Sequence, residues 1–217
     1  MFGKIKEVYF YGWQLTKQNL FFMVGLLGGV YLFLAALTYL SSLAIGSFFM
    51  GIVTFVLNVF FLSLFFLGLS SIALKLVNKE EFSIKDMYRQ WNQVGNIFLS
   101  YLIMFFSFMF IHYFFVFFGA RTVFSNLFAL MGLLLLFVVY LLFFSFINFT
   151  IVKHQLKPIK AIQYNFYLVK RNILFLVLFY AFYIGINLAG SLVFYIGLII
   201  TLPITFLAQA YLYELLE

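Results

Sequence analysis

Residues 18–74 read QNLFFMVGLLGGVYLFLAALTYLSSLAIGSFFMGIVTFVLNVFFLSLFFLGLSSIAL, 57 consecutive positions between Lys17 and Lys75 without a formal charge. A single helix of that length would reach about 85 Å at ~1.5 Å per residue, whereas a hydrocarbon core is crossed by about 20 helical residues. The stretch must therefore fold back, and Ser41, Ser42, Gly46 and Ser47 mark the turn. The other charge-free intervals are 31 residues from Arg89 to Arg121, 31 from Arg121 to Lys153 and 42 from Arg171 to Glu214. The last suits two short helices broken around Asn187, Gly190 and Ser191. Together the intervals predict six transmembrane helices, at approximately 20–42, 48–74, 96–118, 126–152, 172–189 and 191–212.

Composition agrees. The 217 residues are 66% hydrophobic, 24% aromatic and 9% charged, where a soluble domain carries roughly 25% charged residues. Mean hydropathy is +1.14, so secreted enzymes, cytosolic dehydrogenases and free nucleic-acid binders are excluded together. Cysteine is absent, which removes disulfides, thiolate metal sites, iron–sulfur clusters and cysteine nucleophiles. The net charge of +7 points to membrane anchoring on the cytoplasmic side and not to nucleic acid.

Lys and Arg sort by side. With a cytoplasmic N-terminus, 12 of the 13 fall inside and only Arg121 outside, so both termini are expected in the cytoplasm of a multi-pass protein of the bacterial inner (plasma) membrane. No small-residue cleavage site follows the first apolar stretch, so a cleaved signal peptide is not expected. The outer turns are too short for an extracellular domain.

Three cytoplasmic segments show helical spacing of apolar residues: Phe2, Ile5, Val8, Tyr9, Gly12 and Trp13; Ile84, Met87, Tyr88, Trp91 and Val94; and Ile159, Ile162, Phe166 and Val169, the last opening on Pro158. They are expected to be amphipathic helices lying in the inner interface, basic side toward anionic head groups. Each runs into a span through an asparagine, Asn19, Asn96 or Asn172, at spacings of 77 and 76 residues, with Tyr11, Tyr88 and Tyr164 eight positions before. The predicted fold is thus an all-α membrane domain of three hairpins, each preceded by an interfacial helix, with pseudo-repeats at approximately 2–75, 80–153 and 157–217. The asparagines are expected to act as helix N-caps or interface hinges.

Chemistry inside a membrane shows itself as ionisable groups in the spans. None of the six predicted spans contains Asp, Glu, Lys or Arg. His112 is expected near the outer boundary beside Tyr113. Glu80, Glu81 and Asp86 are interleaved with Lys79, Lys85 and Arg89, as in a solvated salt-bridged loop. Asn58, Ser63, Ser107, Ser145 and Asn148 are candidates for interhelical hydrogen bonds or for a polar path. Pro203 should free the carbonyl of Ile199 near Thr201, completing the candidate path residues Asn58, Asn148 and Thr201. Gly25 with Gly29, the series Ala181, Gly185, Ala189, and the stripe Gly197, Thr201, Thr205, Ala208 are spaced for close helix packing. Paired intramembrane carboxylates, Gly-x-Ser-x-Gly and Walker-type loops do not occur.

The layout resembles bacterial six-span proteins of the YciC-like group and the membrane domain associated with some glycerophosphodiester phosphodiesterases. The closing run from Ile196 to Pro203, followed by Ala208-Gln209-Ala210-Tyr211, carries the likeness. Trp13 to Asn19 and Phe82 to Asn96 are also similar to the YesL-like family. The resemblance implies the six-span fold and no catalytic residues; the phosphodiesterase catalytic domain has no counterpart here.

The expected function is a non-enzymatic scaffold, accessory or regulatory role in the membrane, without cofactor or metal. The alternatives are a small transporter or channel, weakened by the lack of a coupling carboxylate, and a lipid-handling protein. In the last, Lys153, Lys157, Lys160, Lys170 and Arg171 would hold an anionic head group. Partners are then membrane lipids, with a second copy or another membrane protein as the further candidate, and no nucleic acid.

Overall fold

The computed structural model describes residues 1–43, 48–119, 132, 136, 138–192 and 197–217. Every regular element among them is helical: α1 (Phe2–Gln18), α2 (Leu20–Leu43), α3 (Phe48–Val77), α4 (Asp86–Arg89), a 3-10 turn at Trp91–Gln93, α5 (Val94–Gly119), α6 (Ile147–His154), α7 (Pro158–Arg171), α8 (Ile173–Leu192) and α9 (Leu198–Leu216). Residues 138–144 are also helical and lead into α6. Five helices are long and apolar enough to cross a membrane, within Leu20–Tyr39, Met50–Val77, Trp91–Phe114, Ile173–Leu192 and Leu198–Leu216. These helices are apolar around their whole circumference, with Phe21, Leu32, Phe110 and Leu174 pointing away from the protein, as lipid-facing helices are. Much of the predicted fourth span lies outside the described residues; Val138–His154, the described part, is a shorter apolar helix.

The first predicted turn lies mostly outside the described residues, and the break between the last two spans comes later than predicted. Ser41 and Ser42 are helical, within α2, and Gly46 and Ser47 lie outside the described residues. Asn187, Gly190 and Ser191 do not break the chain either, because α8 continues to Leu192. Gly190 is needed there for packing: a Cβ on it would collide with Thr201 Oγ1 and come within 3.1 Å of the Gly197 carbonyl carbon.

Buried side chains concentrate at the end of the bundle that carries Lys75, Lys153 and Lys170. They come from Ile5 and Val8 of α1, Leu67 to Val77 of α3, Ile147 to Val152 of α6, Leu176 to Tyr180 of α8, and Phe206 to Tyr213 of α9. The first predicted interfacial helix is part of this core. α1 sets Ile5, Val8, Gly12, Leu15 and Thr16 inward, Gly12 meets Ala208 of α9, and the Tyr9 hydroxyl donates to the carbonyl of Phe179 at 2.8 Å. The face expected to dip into lipid is thus divided: its inner half packs on protein, while Phe2 and Trp13 remain outside, beside Phe10.

The second predicted interfacial helix is corrected to one helical turn, α4, plus the 3-10 turn. Asp86 anchors its start. Its carboxylate accepts the Ser83 N–H at 2.7 Å and pairs with Lys75 Nζ at 2.7 Å, which ties the beginning of α4 to the end of α3. These two hydrogen bonds hold the Asp86 carboxyl below its ordinary pKa. The expected solvated loop therefore contains one buried acid, while Glu80 and Glu81 are exposed. The third segment is the helix α7, with Pro158 in its first turn and Ala161, Asn165, Leu168 and Val169 inward. Ile159 and Phe166, assigned from the spacing to its buried face, are outside.

Candidate functional site

An apolar helix satisfies its own backbone, so an interruption within one survives where other groups take over the freed carbonyls. Such an interruption occurs at Ser145 and Phe146, between the helical residues 138–144 and α6. Phe146 has φ −102° and ψ 4°, which ends the regular ladder. The Ser145 hydroxyl donates to the carbonyl of Leu142 at 3.0 Å, Asn165 Nδ2 of α7 donates to the carbonyl of Phe143, and Gln209 Nε2 of α9 donates to the carbonyl of Ser145 at 2.6 Å. Asn165 is wholly buried and Gln209 nearly so. Phe146, also wholly buried, packs on Tyr213 of α9, and Phe143 stacks on Phe166 of α7 at 4.1 Å between ring centres. Two elements distant in sequence therefore hold the break open.

Beside it lies a cavity of about 450 Å³, within the 300–1,000 Å³ of ligand pockets. Leu62 of α3, Tyr101, Met104 and Phe108 of α5, and Tyr140 and Phe144 form its walls, and Ser145 borders it. The polar tips of this wall are engaged: Tyr101 OH donates to Asn148 Oδ1 at 2.9 Å, and the Ser107 and Tyr140 hydroxyls bond to each other. What the cavity offers a ligand is hydrocarbon and ring faces. An alkyl chain fits that chemistry and a hydrated solute does not.

The candidate path residues do not come together. Asn148 meets Tyr101 at the cavity. Asn58 Nδ2 donates to the Thr54 carbonyl of its own helix at 2.9 Å. Thr201 packs against Gly190 where α8 meets α9. Ser63 is wholly buried and donates to the Val59 carbonyl at 2.6 Å. Asn187 reaches Thr205 Oγ1 at 3.1 Å.

Asn19 and Asn172 are hinges with matching geometry, at φ −121°, ψ 28° and φ −123°, ψ 22°. The expected N-cap is replaced by the reverse contact. Each carboxamide donates backward, to the carbonyls of Leu15 at 3.1 Å and Leu168 at 3.0 Å, closing the preceding helix, while the backbone carbonyl of each accepts the first bond of the next helix. Asn96 differs: it lies inside α5 and its Nδ2 donates to Gln93 Oε1 at 2.7 Å.

Of the five cations assigned to lipid, Lys153 is already paired. It bonds Glu214 at 2.6 Å and Glu217 at 2.5 Å, and His154 also meets Glu217. Burial opposes its charge, but these hydrogen bonds outweigh that and hold its pKa above the ordinary lysine value. Lys157, Lys160, Lys170 and Arg171 are exposed on α7 or at its ends. The residues the sequence reading passed over are Gln209 and Asn165. The spacing sets Asn165 on the polar side of its helix with Lys160 and Lys170, and the structure turns it inward.

Compared with protein-family models, curated proteins and solved structures, the chain gives no match.

Proposed function

We propose that this chain is a non-enzymatic protein of the bacterial inner membrane, six-spanning with both termini cytoplasmic, that binds a lipid chain in the cavity beside the Ser145 break. The observation that carries the reading is the cavity itself: apolar walls, engaged hydroxyls, and a helix interruption held by Gln209 and Asn165. Ser145 is eight residues before Lys153, or about 12 Å along a helix, so a chain in the cavity has its head group near the end where Lys157, Lys160, Lys170 and Arg171 attract phosphate. The threefold repeat and the YciC-like resemblance belong to the same proposal.

A scaffold or accessory role is the second reading, favoured by small residues left uncovered: among the described residues, a Cβ on Gly25, Gly29 or Gly185 meets nothing within 4 Å, which leaves room for another helix. The transport reading loses support because Asn58, Asn148 and Thr201 stand apart.

The test is lipid retention. Protein purified in mild detergent should carry about one phospholipid per chain through a washing step, and filling the cavity with Met104→Trp should remove most of it while the protein remains monodisperse. Equal lipid content in both proteins would refute the proposal.

A further inference from the structure

We propose that a second site, the groove between α1 and α8, binds an anionic phospholipid, with an acyl chain along the groove and the head group on Lys6. This rests on the lipid-binding reading only for the placement of α1 at the cytoplasmic interface, and needs nothing from the cavity at Ser145.

The groove has a volume of about 680 Å³. Phe2, Phe10 and Trp13 of α1 form one wall and Phe182 and Ile186 of α8 the other, with Ile204 of α9 between them. It is preformed, because Tyr9 fixes α1 in place: its ring stacks on Phe179 at 5.0 Å and its hydroxyl bonds the Phe179 carbonyl. Phe2 also meets the Phe182 ring edge-on at 6.4 Å.

An alkyl chain is the occupant the walls admit, since they are almost wholly hydrocarbon and aromatic and α8 has the length and composition of a span. Lys6 selects the head group. On a helix, positions 2, 6, 9, 10 and 13 share one face, so Lys6 stands in the middle of the aromatic stripe and not on the face opposite it. It lines the groove, is exposed, and has no carboxylate within 4 Å among the described residues. A lysine so placed lays its stem along the rings and raises its ammonium to the head-group level. Lys4, about 200° around the helix, lines a separate cleft that also contains Glu7. Of the two neighbouring lysines, only Lys6 combines an unpaired charge with an apolar channel.

Trp13 is a built-in reporter, because Trp91 is the only other tryptophan. The full-length Trp91→Phe protein in phosphatidylcholine vesicles is titrated with chain-brominated phosphatidylglycerol or, separately, chain-brominated phosphatidylcholine at equal mole fraction. Trp13 quenching should favour the anionic lipid about fivefold, the selectivity expected from one lysine at a membrane surface. Lys6→Gln should bring the ratio close to one, and Lys4→Gln should leave it near fivefold. Equal quenching by the two lipids, or equal loss in both lysine variants, would overturn the site and leave the Ser145 cavity untouched. No quenching by either lipid would mean that another protein surface, such as a second copy, covers the groove or that α1 is remote from the bilayer. That result overturns the site too, and lipid retention in the Met104→Trp comparison then tells whether the wider reading falls with it.

Discussion

Adding one methyl group at Gly12 should separate α1 from the bundle. An ideal Cβ there would lie 2.7 Å from the carbonyl oxygen of Ile204, 2.9 Å from the backbone nitrogen of Ala208 and 3.0 Å from its Cβ, against an ordinary contact of 3.4 Å or more. Two of the three atoms are backbone, so no rotamer change relieves the clash. α9 cannot retreat, because Leu207, Ala210, Leu212 and Tyr213 are fully buried. α1 must therefore move out by roughly the shortfall, and a gap of ~0.5–1 Å forfeits a quarter to a half of the dispersion energy of the contacts it opens. Overpacking of this kind costs about 1–3 kcal/mol, while alanine regains about 0.5–1 kcal/mol over glycine inside a helix. Gly12→Ala should thus destabilise the protein by about 1 kcal/mol, the middle of a balance that spans ~0–2.5 kcal/mol. Gly25→Ala is the matched control: its Cβ meets nothing within 4 Å, so only the helix preference of about 0.5–1 kcal/mol acts, in the stabilising direction. Unfolding in mixed micelles, followed by circular dichroism, reads both. If Gly12→Ala equalled or exceeded the native protein, or if Gly25→Ala fell as far, the close packing of α1 on α9 would be refuted.

Gln209→Leu should cost about 1–3 kcal/mol by leaving the Ser145 carbonyl unpaired, measured by the same unfolding assay; an unchanged midpoint would mean the break does not depend on α9. Asp86 predicts a pH dependence. Its folded pKa is depressed by Lys75 and the Ser83 N–H, so its contribution is complete above the unfolded value of about 3.9 and is lost as pH falls through the folded value. The difference in thermal midpoint between native protein and Asp86→Asn should be present at neutral pH and close below pH ~4; a constant difference would contradict the pairing. Asn58→Leu and Asn148→Leu should leave a folded protein, with the Tyr101 contact worth about 0.6 kcal/mol. Loss of solute uptake with expression preserved would instead revive the transport reading.

The spans were legible because lipid demands long charge-free intervals, and five of them are found as helices with nine of their ten ends within four residues of the predicted limits and the tenth, at Leu198, seven away. Their turns were less legible. Asn187 and Ser191 look like turn formers in water, yet in an apolar helix such side chains bond their own backbone, as Asn187 does to Tyr183 at 2.9 Å and Ser191 to Leu188 at 2.7 Å. The interfacial segments have helical periodicity, but periodicity names a buried face without saying whether lipid or protein buries it. α1 packs part of its apolar residues on protein and leaves the rest exposed. The break at Ser145 was hidden because no Gly or Pro marks it, and its support comes from Asn165 and Gln209, whose role depends on tertiary contact. Asn19 and Asn172 were found by their spacing, while the direction of their hydrogen bonds was not, because a carboxamide serves as donor as readily as acceptor.

A density map of the full chain in lipid nanodiscs would show whether a lipid chain occupies the cavity beside Ser145. Elongated density is expected along Tyr101, Phe108, Tyr140 and Phe144, ending near the break that Gln209 and Asn165 support. A cavity closed by inward collapse of Met104 and Phe108, or one filled with discrete water density, would contradict it.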